Sequence, residues 1–186
     1  QNGERPSAGE LQRMGYRPST LRGRYGSWFE FVEAEGDLTA AEAAALPALR
    51  AFLRSVETTR MNMCFKMVTL AVLSECEDPF AGMPLDELAQ RCHAWLKRRP
   101  DLWVDVLPSE RSDLSTAAEI AKWLSYWRRN PVAALTKGDT PPLCRLEHNR
   151  LSLNWARVPL EPASSMLGEL LDWRIRQYVA RARHAE

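Results

Sequence analysis

The chain has 186 residues, 45% of them hydrophobic, with seven tryptophans and a formal net charge of +1. That length and apolar content exclude a disordered chain and suffice for one packed core or two small subdomains. The near-neutral balance excludes a global polyelectrolyte attraction to nucleic acid, although 21 of the 25 basic residues are Arg, the better fork for phosphates and carboxylates.

Residues 1–17 are polar, contain Gly3, Pro6 and Gly9, and read as a linker or arm. Residues 18–186 then read as a single helical domain. Tyr16–Thr20 is an extended lead, because the residue before Pro18 is pushed out of the α region. Arg22 through Val32 is predicted helical, with Trp28, Phe29 and Val32 on its apolar face and Gly36 ending it. Thr39-Ala-Ala-Glu42 is a capping box that starts a helix from about 40 to 57, carrying Leu46, Leu49, Phe52, Leu53 and Val56. Pro47 inside it is expected to kink or split it.

Residues 60–75 are apolar almost all round, the pattern of a helix central to the core, with Lys66 as the exception. A salt bridge to a nearby acid such as Glu57 or Glu75, or snorkelling, accounts for that lysine, and reaching a phosphate is the functional alternative. Pro84-Leu-Asp-Glu87 opens the next helix, because Pro suits a first turn and acids suit its dipole. It runs to Arg99, and a short turn covers Leu102–Val106. Thr116-Ala-Ala-Glu119 is a second capping box, starting a helix with Ile120, Trp123, Leu124 and Trp127 on one face. Asn130-Pro131 ends that helix and caps a short one to about Leu135.

Only residues 143–155 read as strand, a hairpin turning at His148-Asn149 with Leu151, Leu153 and Trp155 on one face. A final helix starts near Pro162 and buries Leu167, Leu170, Leu171, Ile175, Tyr178 and Val179. The fold class is therefore mainly α, a helical domain with one β-hairpin. Helices near 61–75, 84–99 and 116–129 followed by a hairpin leave a winged-helix-like arrangement open.

Cys64, Cys76, Cys92 and Cys144 form no C-x-x-C pair and read as reduced thiols in the cytoplasm. No stretch approaches the roughly 20 apolar residues of a membrane span, and none reads as a signal peptide. The start at Gln1 suggests an excised domain.

Catalytic sets are hard to assemble from these residues. The histidines are His93, His148 and His184; His93 follows Cys92 on a helix, where neighbours point about 100° apart and cannot pair. Asp101, Glu119 and Lys122 superficially match a nuclease set, but Glu119 already serves a cap and shares its helix with Lys122. The expectation is a non-enzymatic region without cofactor or metal. The tryptophans could stack on bases, yet Trp95, Trp103, Trp123, Trp127 and Trp173 fall at core spacing.

Six segments carry a family likeness: Tyr25-Gly-Ser-Trp28-Phe29, Val56-Glu-Thr-Thr-Arg-Met61, Cys64-Phe-Lys-Met-Val-Thr-Leu70, Pro84-Leu-Asp-Glu-Leu88, Tyr126-Trp-Arg-Arg-Asn-Pro131 and Leu170-Leu-Asp-Trp-Arg174. Together, over roughly residues 16–180, they resemble an accessory region downstream of the motor in large bacterial superfamily II (DEAD/DEAH-box) helicases. The chain has no G-x-x-x-x-G-K-[ST] loop and no Asp-Glu-Ala-Asp or Asp-Glu-Ala-His box, so no catalytic residue carries over. The resemblance implies a helicase motor in the same chain or complex, in DNA repair or phage defence.

The expected DNA contacts are Arg-rich helix ends: Lys97, Arg98 and Arg99 on one helix, Lys122, Arg128 and Arg129 on another, and Arg150 at the hairpin. Cations at helix C-termini also satisfy carbonyls and the dipole without any ligand. The rival expectation is a protein–protein scaffold that docks the motor or a partner subunit.

Overall fold

A computed structural model describes residues 5–139 and 141–183. It is mainly helical with a small three-stranded antiparallel sheet that includes the hairpin. Two compact units divide the chain: residues 1–59 with 155–177, and residues 60–154 with 178–186. The expected boundary at residue 17 falls inside the first unit. Of the predicted arm, residues 1–4 lie outside the described residues.

The rest of that arm is structured in unit 1. Ser7 and Glu10 form a capping box that starts α1 (Ala8–Arg13). Glu169 accepts hydrogen bonds from Arg5 at 3.0 and 2.8 Å, from the Ala8 amide at 2.9 Å and from Trp28 Nε1 at 2.7 Å. Arg5 also lies 3.4 Å from Glu42 and over the rings of Trp28 and Phe29. A polar composition concealed this docking because every partner is distant in sequence.

A 3-10 turn (Pro18–Leu21) leads into α2 (Arg22–Tyr25) and α3 (Trp28–Glu35), where one helix was predicted over 22–32. Gly26 at φ 94° breaks the run, and the extended Ser27 caps the Glu30 amide to restart it. The Thr39–Glu42 capping box starts α4, an unsplit helix over Ala40–Thr58. Pro47 is tolerated because it lies on the exposed side, where water can take the carbonyl left without a donor. Trp28, Phe29, Val32, Leu49, Val56, Leu170 and Trp173 are buried in this unit, with Trp28 and Trp173 ring centroids 6.5 Å apart. The last of these residues lie on α10 (Leu160–Arg183), whose residues through Gln177 belong to unit 1.

Unit 2 is built round α5 (Phe65–Ser74), buried on nearly every side by Phe65, Met67, Val68, Leu70, Val72 and Leu73. It is shorter than predicted: residues 60–64 lie outside the helix, and the Cys64 amide is held by Asp105 Oδ2 at 2.8 Å. Strand β1 (Met83–Pro84) precedes α6 (Leu85–Lys97), which ends two residues before the predicted Arg99. Then follow α7 (Pro100–Trp103), a 3-10 turn (Pro108–Glu110) and α8 (Ala117–Trp127), the last on its capping box. The short helix thus begins at Pro100, which suits a first turn, and ends before the predicted Val106.

Asn130-Pro131 does not end α8. Residues Arg128–Val132 form a π turn that continues into α9 (Ala133–Lys137). Pro131 has no N–H to donate, so the ladder skips a residue, and the Ala133 amide reaches back to the Arg128 carbonyl. Strands β2 (Cys144–Glu147) and β3 (Arg150–Leu153) turn at His148 and Asn149, whose φ of 48° and 61° suits a tight hairpin. The strand order is β1-β3-β2, with Met83 opposite Leu151 and Cys144 opposite Leu153. Gly82, at φ 68°, lies so close to the Leu151 carbonyl that a Cβ would collide with it.

Candidate nucleic-acid interface

The geometry of α6 and α8 decides which basic residues meet. Trp123 Nε1 donates to the Ala89 carbonyl at 2.7 Å, joining the middles of the two helices. At the far end of α6, His93 Nε2 lies 2.9 Å from the Ser112 carbonyl and Lys97 Nζ lies 2.5 Å from Asp113 Oδ1. The C-terminus of α6 is thus beside the segment that enters α8. At the opposite end, the Leu85 amide donates to the Asn149 carbonyl at 2.9 Å, and Arg128 donates to the Asn149 side chain. The helices run antiparallel.

The seven basic residues therefore fall into separate groups. Lys97, Arg98 and Arg99 sit at the start of α8, whereas Arg128, Arg129 and Arg150 gather at its end, beside the hairpin turn. The separation is about the length of α8, whose 11 residues span about 16 Å. Lys122 lies between them, hydrogen-bonded to the Ser109 carbonyl and 3.7 Å from Glu110.

All seven are exposed, but their partners differ. Lys97 is neutralised by Asp113, whose carboxyl it holds below the usual carboxylate range. Arg98 and Arg129 turn back onto the Ala94 and Ser125 carbonyls at 3.2 and 3.4 Å. Arg99 stacks on Trp95, 4.0 Å from the ring centre. Arg150 donates to the Ala81 and Gly82 carbonyls at 3.3 and 2.7 Å. Among the described residues none of these five arginines, Arg98, Arg99, Arg128, Arg129 and Arg150, forms an ion pair with a carboxylate. Arg91, by contrast, pairs with Glu87 at 2.6 Å.

The other candidate chemistry resolves into structural contacts. His93 is wedged edge-on between Trp103 and Trp123, and burial lowers its pKa. Trp123 and Trp127 are stacked at 5.2 Å and, like Trp173, are at most 1% exposed, which removes them as base-stacking platforms. Glu119 accepts from Ser115 and Thr116 in its capping box. His148 is at the hairpin tip, and His184 lies outside the described residues. Among the described residues no group of three or more His, Cys, Asp or Glu is placed to hold a metal ion. Burial raises the thiol pKa of Cys64, Cys92 and Cys144, and all four cysteines are free. No helix among those residues is long and apolar enough to cross a membrane.

One concavity was not foreseen from the sequence. A half-open pocket of roughly 360 Å³ lies in unit 2, with Arg60, Asn62 and Lys66 on one side and Asn130 and Pro131 of the π turn on the other. Lys66 forms the expected salt bridge to an acid, and the acid is Asp139 at 3.3 Å. The lysine sits in the first turn of α5, within reach of the residues that follow α9. Reading residues 60–64 as helix hid Arg60 and Asn62, which the loop leaves exposed.

No family model, curated protein or solved structure matches the chain.

Proposed function

We propose that this chain is a non-catalytic accessory domain that holds DNA against a helicase-type motor in the bacterial cytoplasm. The observation that carries this reading is the hairpin group: Arg128 and Arg129 on the π turn and Arg150 on β3, exposed and free of carboxylate pairing among the described residues. Their carbonyl and amide contacts orient the guanidinium groups without neutralising them, leaving charge for phosphates. Lys97, Arg98 and Arg99 form a second patch about one helix length away, reaching a different stretch of backbone. Such contacts are sequence-independent and salt-sensitive.

The order α5–β1–α6–α8–β2–β3 supports a winged-helix-like reading of unit 2, with the hairpin as the wing that touches backbone. Between α6 and α8 the chain inserts α7 and a 3-10 turn, so this is not a tight helix-turn-helix. The resemblance to helicase accessory regions supplies the motor as partner, and DNA repair or phage defence as the setting.

Fluorescence-anisotropy titration of the 186-residue chain with duplex and single-stranded DNA tests the reading. Binding at about 50 mM salt that weakens steeply as salt rises is the expected result. Absence of binding there favours the scaffold reading, in which the domain docks the motor or a partner subunit. That alternative has its own support in Val104 and Leu107, which are 65% and 49% exposed next to the α6 end.

A further inference from the structure

We infer that the pocket between the 60–66 segment and the π turn binds a nucleoside monophosphate. The pocket is the size of small-ligand sites, which start at about 300 Å³. Its wall divides by chemistry into three parts, and each matches one part of such a ligand.

Arg60 is exposed and forms no ion pair or side-chain hydrogen bond among the described residues, so its planar fork is available to a phosphate. Lys66 lines the same side but is already paired with Asp139 at 3.3 Å, so Arg60 is the cation open to the pocket. A single open cation suits one phosphate better than a polyphosphate. Asn62 and Asn130 supply primary amides, the side chains that read both donor and acceptor on a base edge. Asn130 spends its Nδ2 on the Tyr126 carbonyl at 2.8 Å, which fixes the side chain and leaves its oxygen as an acceptor. Met63, 39% exposed, and Ala134 provide the apolar wall a flat heterocycle needs.

The π turn gives this arrangement its form. An α-helical turn at residue 131 would need an amide that proline lacks, and the wider turn carries Asn130 and Pro131 on the pocket wall instead. π-bulges inside helices frequently mark functional sites. The ligand can be a free nucleotide or the phosphorylated end of a strand; the chemistry is the same. The inference stands apart from the backbone contacts proposed for Arg128, Arg129 and Arg150, which line no part of the pocket.

Isothermal titration of the 186-residue chain with dAMP, deoxyadenosine and inorganic phosphate tests it. The expected result is that dAMP binds at least tenfold more tightly than either fragment. Arg60→Ala and Asn62→Ala, both at exposed positions where the fold loses nothing, should each weaken dAMP at least tenfold with an unchanged circular dichroism spectrum. A 5′-phosphorylated oligonucleotide that displaces dAMP, where its 5′-hydroxyl counterpart does not, would identify the strand end as the source. Failure of both oligonucleotides to displace it would identify the free nucleotide. Binding of dAMP no tighter than phosphate or deoxyadenosine overturns the inference, as does dAMP affinity that survives both substitutions. Charge reversal at Arg128, Arg129 and Arg150 should leave dAMP affinity unchanged, so loss of DNA binding and loss of nucleotide binding are separable results.

Discussion

The two units spend their arginines differently. In unit 1 four guanidinium groups close onto carboxylates of other elements or turns: Arg5 onto Glu169 and Glu42, Arg22 onto Glu57, Arg50 onto Glu30 and Glu33, and Arg176 onto Asp172. In unit 2 the lysines take most of the paired acids, with Lys66 on Asp139, Lys97 on Asp113 and Lys122 on Glu110, and Arg91 takes Glu87. Arg98, Arg128, Arg129 and Arg150 bond only to neutral oxygens. Arginine thus fastens buried contacts at Arg5 and Arg22 in the first unit, and at Arg98, Arg128, Arg129 and Arg150 in the second it keeps its charge outward. Near-neutral totals hide this contrast, because a satisfied and an unsatisfied arginine count alike.

The largest effect that could break the comparison lies at Glu169. Glu169→Ala leaves Arg5, the Trp28 indole and the Ala8 amide without their acceptor, in a site where the Glu169 side chain is 12% exposed. It should cost about 3 kcal/mol in urea denaturation, the size expected on breaking a largely buried charged contact. DNA affinity should not change. A loss under about 1 kcal/mol would show that the fastening is cosmetic.

Reversal of Arg128, Arg129 and Arg150 to Glu should do the opposite. Stability should move little, while DNA affinity falls on the order of a hundredfold at low salt and the salt slope drops by about one per contact removed. An unchanged slope would move the interface to Lys97, Arg98 and Arg99, or remove it.

Buried acid in unit 1 also leaves a pH signature. Burial raises the Glu57 pKa, and the Trp28 amide and the charges of Arg22 and Arg174 only partly oppose that. A carboxyl whose folded pKa is raised contributes stability below its unfolded pKa, about 4.3, and loses that contribution as pH rises through the folded value. Glu57→Gln keeps an acceptor for the Trp28 amide, 2.8 Å away, and should flatten the fall in stability between about pH 4.3 and neutrality. Parallel urea curves across that range, for both proteins, would count against it.

The smallest effect sharpens the contrast within unit 2. Asp113→Ala frees Lys97 from an exposed pair and should leave stability nearly unchanged in urea denaturation. It should raise DNA affinity a few-fold if the second patch touches phosphate. No change in affinity would assign the DNA contact to the hairpin group alone.

Much of the fold was legible because its signals are local. The capping boxes at Thr39–Glu42 and Thr116–Glu119 start α4 and α8 where they were expected, since both bonds of a box close within three residues. The continuous apolar run located the most buried helix, α5, and Leu151 and Leu153 alternate onto the buried face of β3 as their spacing required. Less of the candidate site could be read. The seven basic residues were identifiable, but nothing in their spacing said that α6 and α8 run antiparallel and divide them. The pocket was obscured by two local patterns that mislead: an apolar stretch that is loop over residues 60–64, and an Asn-Pro pair that widens a helix instead of ending it.

Helix starts, the hairpin and the central apolar helix were determined by residues a few positions apart, where a hydroxyl, a carboxylate or a proline acts directly on nearby backbone. Tertiary structure decided the rest. Strand β1 is two residues long and exists because β3 offers it a ladder, and Arg5 is held because Glu169 lies 164 positions away. Which arginines remain open to a phosphate depends on which acids the packing brings within 4 Å, and that distance is set by the assembled core rather than by neighbours along the chain.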